Sequence, residues 1–146
     1  MITWEFSIWD IVIVVAIAAV VIVFLTAKFY YQRLSLPDGL DKKFFKQQWT
    51  KIEDLLRYGK EMNLKLAVIE ADKLLEAALT ELYFTGETTS QRLHLASYKY
   101  PALRSVFWAH KVRNEVVHDP RYILKYGETK RVLSLFKRAL KILRVL

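Results

Sequence analysis

The residues best suited to chemistry lie between Ala102 and His118. Leu103, Val106, Phe107, His110, Asn114 and Val117 fall on one stripe at helical spacing. His110 and Asn114 therefore occupy places where apolar side chains are expected, with Arg113 and His118 on either side. A polar group turned toward a core must be partnered or used, because burying it unpaired costs stability. These types suit work on an anion. An imidazole titrates near neutrality and can take or give a proton. A guanidinium stays charged and matches a phosphate with two parallel N–H groups. On an ideal helix Arg113 and His118 lie about 140° apart, so they converge only if Arg113 reaches around or the helix end distorts. No cysteine is present, which excludes a thiolate nucleophile, a zinc–thiolate site and a disulfide framework. His94, His110 and His118 lack the i, i+4 spacing of a helical metal pair. No glycine-rich phosphate loop and no Ser-His-Asp set can be assembled. No metal or cofactor is expected.

Arg113 to His118 reads Arg-Asn-Glu-Val-Val-His. This resembles the Arg-x4-His motif of the HEPN superfamily, small four-helix bundles of higher eukaryotes and prokaryotes. Asn directly after the Arg is a common variant. The position also agrees: late in a bundle helix, just before a turn, with one more amphipathic helix to follow. The resemblance spans about Asp41 to Leu146. It implies a metal-independent endoribonuclease whose catalytic residues are Arg113, Asn114 and His118. His118 would serve as base or acid at the ribose 2′-hydroxyl or the leaving oxygen. Arg113 would stabilise charge on the phosphate, and Asn114 would orient the phosphate or the imidazole. It further implies that two copies pack with their motifs in one cleft, and that a protein regulator accompanies them. Many members of the superfamily are non-catalytic modules. The alternative reading is accordingly a helical dimerisation or protein-interaction module, in which the three residues merely cap and bridge the bundle. His118-Asp119-Pro120 suits such a cap, since a helix C-terminus favours a cationic His.

The elements that must position these residues follow from periodicity. Phe45, Trp49, Ile52, Leu55 and Leu56 mark one helix face from Asp41 to about Tyr58, with Gly59 as its end. Leu64, Ala67, Val68, Ala71, Leu75, Ala78, Leu79 and Leu82 mark a second helix, from Asn63 to about Tyr83, closed by Gly86. Thr88-Thr89-Ser90 supplies caps for a short helix through about Lys99. Pro101 opens the segment Ala102–His118, and Pro120 forbids its continuation. Gly127-Glu128-Thr129 restarts the chain into a last helix carrying Val132, Leu135, Phe136, Ala139, Leu140 and Leu143. No repeat and no strand is apparent.

Before these helices, Ile11 to Ala27 is an uncharged run of 17 residues. With Trp9 and Phe29 at its ends it reaches the roughly 20 residues that a membrane-crossing helix needs. Trp4 and Trp9 on one side, and Phe29, Tyr30 and Tyr31 on the other, suit the two interfaces. A cleaved signal peptide fits less well, for there is no positive n-region and Leu25 stands where a small residue is needed. Net charge is +8, unevenly spread. Glu5 and Asp10 precede the run, whereas all 23 Lys/Arg begin at Lys28 and meet only the remaining 13 acidic residues. Positive flanks stay in the cytoplasm, which predicts an outward N-terminus and a cytoplasmic C-terminal domain at the cell membrane. The basic excess favours anionic partners.

The expectation is thus an all-α chain. An N-terminal transmembrane helix (1–34) and a linker (35–40) lead to a four-helix, HEPN-like bundle with one short extra helix (41–146). RNA, a second copy and the membrane are its expected partners.

Overall fold

The computed structural model describes residues 8–34 and 40–146, with the side chains of 12–27 and 40–146. The chain divides into two compact units, 1–36 and 37–146. Every element among the described residues is helical: α1 (Ile8–Leu34), α2 (Lys42–Tyr58), α3 (Glu61–Glu81), α4 (Thr89–Lys99), a 3₁₀ turn (Pro101–Ser105), α5 (Val106–His118) and α6 (Tyr126–Ile142).

The first unit is the helix α1. Its large apolar side chains from Val12 to Leu25 leave 47–68% of their surface exposed. The expectation of a transmembrane helix is corrected here. Among the described residues no helix is long and apolar enough to cross a membrane. Trp4 and the linker around Pro37 and Gly39 lie outside the described residues, as do the side chains of Trp9, Phe29, Tyr30 and Tyr31.

The second unit is built around α3, which packs against α2, α4, α5 and α6. Ala67, Ala71 and Ala78 are fully buried along α3. Their small side chains let neighbouring backbones approach, while Val68, Leu75 and Leu79 fill the space between. Phe45, Trp49 and Ile52 close the core from α2, and Val132, Phe136, Ala139 and Leu140 from α6.

Local chemistry explains the boundaries. The Asp41 carboxylate accepts the Phe44 N–H at 2.9 Å and starts α2. Gly59, at φ +67°, ends it in the left-handed region. α3 begins at Glu61 rather than Asn63, with an acid in its first turn where the helix dipole favours one. Its end also differs from expectation. Tyr83, not Gly86, takes the left-handed conformation, at φ +59°. The Phe84 N–H reaches Leu79 O at 3.0 Å and the Tyr83 N–H reaches Thr80 O at 2.9 Å, which closes a Schellman turn. Phe84 then packs on the core and meets Tyr100 edge-on, and this burial offsets the strain at Tyr83. Thr88 and Gln91 form a reciprocal capping box for α4. The expected single helix from Ala102 is divided: Pro101 opens a 3₁₀ turn, and regular α-helix starts at Val106. α6 starts at Tyr126, one residue before the expected restart.

A polar clasp joins α2 to α6. Glu53 accepts from Lys137 Nζ at 2.6 Å and from Trp49 Nε1 at 2.8 Å. The Lys137 ammonium holds the Glu53 carboxyl below its ordinary value, against the opposing effect of burial, with Trp49 adding to the lowering. A carboxyl more acidic folded than unfolded contributes stability above the unfolded value, and loses it as pH falls. The stability gap between wild type and Glu53→Gln should therefore be open at pH 7 and shrink below about pH 4.5, as read from urea midpoints across pH. A second expectation concerns Gly86, which sits at φ +146° and where a Cβ would lie 3.0 Å from Gln91 Cβ and 3.1 Å from Arg92 N. Gly86→Ala should lower the unfolding free energy by more than about 1 kcal/mol, visible as a lower midpoint with unchanged slope.

Candidate active site

Three side chains from two helices meet where α5 crosses α3. Asp72 of α3 is 1% exposed, and His110 and Arg113 of α5 are 12% and 24% exposed. His110 Nδ1 lies 2.7 Å from Asp72 Oδ1. An ionised carboxylate only accepts, so Nδ1 carries the proton in this bond. Arg113 Nε lies 3.2 Å from Asp72 Oδ2. These two atoms are buried and close enough to be an ion pair, yet they are not aligned as a hydrogen bond. The pair is held by charge rather than by a directional N–H···O contact. Arg113 Nη1 also donates to Asn114 Oδ1 at 3.0 Å, fixing the amide beside the guanidinium.

The helical spacing of α5 accounts for the arrangement. Ala109, Val112 and Val116 are buried and set the inward face. Arg113 and His110 stand at the edge of that face and turn toward α3. His118 is the last residue of α5 and is exposed, on the side away from the buried row. A cation at that position is favoured by the helix dipole. Within one chain, then, Arg113 and Asn114 are brought together, and His118 stands apart from them. His110, expected to need a partner in an apolar stripe, has one in Asp72.

Asp72 is the residue that periodicity passed over. It sits among Val68, Leu75 and Leu79 at spacings of four, three and seven, inside the apolar band of α3. A lone carboxylate in that band, matched against a lone His in the band of α5, was the available signal. Neither helix read by itself reveals the pairing, because residues 72 and 110 are 38 apart in sequence.

Trp108 is half-buried, with Arg131 of α6 stacked over its ring at 4.6 Å. Tyr98 is exposed, its hydroxyl 3.1 Å from His94 Nε2. Two cavities lie away from Arg113. One, of about 420 Å³, runs between α2 and α3 past Phe44, Ile52, Leu55, Tyr58 and Leu74. The other, of about 500 Å³, is bounded by Gly86, Gln91, His94, Leu95 and Phe107. Phe107, Asn114 and His118 share one face of α5, so this second cavity opens at the far end of the face that carries His118.

Comparisons with protein families, with characterised proteins and with solved structures find no match to this chain.

Removing one partner from a buried charge cluster strands the others. Asp72→Asn should lower the unfolding free energy by about 3 kcal/mol, because it leaves the Arg113 charge buried without its counter-charge. Replacing Asp72, His110 and Arg113 together by apolar residues of similar volume should restore most of that loss. Urea unfolding of the single and triple variants checks both statements.

Proposed function

We propose that the second unit is an RNA-acting helical domain, a metal-independent endoribonuclease that works as a pair of copies. The observation that carries this reading is the guanidinium of Arg113, anchored from behind by the buried Asp72 and flanked by Asn114, on the helix whose exposed end presents His118. An anchored guanidinium is an oriented phosphate ligand, since its planar fork of N–H donors matches the geometry of an oxyanion. His118 is exposed, with no hydrogen bond or ion pair among the described residues, so its imidazole is open to a substrate. The separation of Arg113 from His118 within one helix is bridged when a second copy brings its own motif alongside.

In this reading His118 takes the proton from a ribose 2′-hydroxyl. The 2′-oxygen attacks the adjacent phosphorus, and the 5′-oxygen departs with a proton supplied by the opposing imidazole. The products are a 2′,3′-cyclic phosphate and a free 5′-hydroxyl. Arg113 balances the charge that grows on the phosphate oxygens. RNA supplies the nucleophile, so DNA is not a substrate.

A second reading rests on the same carboxylate. If Asp72 commits Arg113 and His110 wholly to the core, the helix is a structural strut and the domain an interaction module. The two readings separate in one assay on single-stranded RNA in chelator. Cleavage by wild type should leave a cyclic phosphate, and His118→Ala should reduce it by about 10²–10⁴-fold while leaving the midpoint of unfolding unchanged. Absence of cleavage by a folded, paired wild type favours the module. Loss of folding in His118→Ala removes His118 from the catalytic assignment.

A further inference from the structure

The outward face of α6 is a row of cations. Lys130, Arg131, Ser134, Arg138 and Lys141 are all exposed and fall within one arc at spacings of three and four. Elsewhere in the second unit several cations sit beside carboxylates, namely Arg57 with Asp54, Lys65 with Glu61, Lys73 with Glu70 and Arg92 with Glu76, while others such as Lys42, Lys43 and Lys46 of α2 do not. On α6 the sole acid is Glu128, and it is engaged by the Tyr122 hydroxyl at 2.7 Å. The one ion pair among the described residues of α6 is Lys137 to Glu53, off this arc. Lys130, Arg138 and Lys141 have no acidic partner among the described residues.

The helix dipole does not account for this row. Its pull on cations is confined to the last turn, which reaches Lys141 and not Lys130, Arg131 or Arg138. Like charges at Arg138 and Lys141, three residues apart, oppose helix formation by a few tenths of a kcal/mol, and Lys137 and Lys141 repeat this at four. An anion lying along the face would relieve that repulsion. Arg131 is held in place by the Trp108 ring, which ties the row to α5.

We propose that this face of α6 is the docking track for the sugar–phosphate backbone of single-stranded RNA. The inference rests on the RNA reading above and adds the surface that holds the strand. Lys130, Arg138 and Lys141 span about 16 Å of helix at 1.5 Å per residue and offer their charges to phosphates along an extended strand. The contacts are to backbone and carry no sequence preference. They bind through charge and so weaken with salt.

The test uses the full chain and a fluorescent single-stranded RNA of mixed sequence, with binding measured by anisotropy over a range of salt. Lys130→Gln/Arg138→Gln/Lys141→Gln should bind at least ten-fold more weakly than wild type at moderate salt. Its slope of log affinity against log salt should fall by about 2, as expected when three phosphate contacts on a single strand are lost. A charge-keeping variant, Lys130→Arg/Arg138→Lys/Lys141→Arg, should bind like wild type. Equal affinity and slope in wild type and the glutamine variant would overturn the track while the RNA reading stands. Failure of the wild type to bind RNA at low salt would overturn both. If the glutamine substitutions instead spare RNA binding and abolish an added affinity for vesicles containing anionic lipid over neutral ones, the face is a membrane-surface contact and the track is wrong. All three positions are exposed, so unfolding of the variant, read by circular dichroism, would also count against a docking role.

Discussion

The second unit is arranged around a carboxylate where a carboxylate is costly. Asp72 stands almost wholly buried on α3, the helix that the other four of this unit pack against. Taking such a charge out of water costs several kcal/mol unless opposite charge and hydrogen bonds surround it. Both are supplied by α5, through the imidazole of His110 and the guanidinium of Arg113. Once those two side chains must point at Asp72, the rotation of α5 about its axis is set. Apolar packing of Val106, Ala109, Val112 and Val116 agrees with that rotation, so charge and burial choose the same orientation.

Much follows from that one choice. With Arg113 turned inward, His118 necessarily faces outward, because residues five apart on a helix differ by about 140°. The motif is thus divided into an anchored cation and an exposed titratable group, on opposite sides of the same helix. The same rotation leaves Phe107, Asn114 and His118 on one accessible face, and Trp108 on the side where Arg131 covers it. α6 in turn spends its apolar face on the core, through Val132, Phe136 and Leu140, and its other face is cationic with little to neutralise it. Part of the basic excess that lies after residue 27 is therefore displayed along this helix.

Some features of this protein were decided by the sequence itself. The i, i+3/i+4 rows of α2, α3 and α6 require helices wherever they occur, since no other regular structure puts those residues on one side. Asp41, Gly59 and the Thr88–Gln91 box are local signals, each acting within four residues, and they set their boundaries unaided. The uncharged run at Ile11–Ala27 determined a helix there as well, though its expected role in crossing a membrane did not survive among the described residues.

What the sequence could not decide was anything that depends on two segments meeting. Tyr83 holds the left-handed position at the end of α3 because Phe84 is captured by the core and by Tyr100, contacts invisible to a rule that looks for glycine. Pro101 begins a 3₁₀ turn, not an α-helix, where the chain between α4 and α5 packs against both and against α6. Above all, Asp72 acquires its meaning only across 38 residues of chain. The sequence named Arg113, Asn114 and His118 as a set. Tertiary structure divides that set, because the energy of a buried carboxylate is settled by whichever cations can reach it, and reach is a property of packed helices.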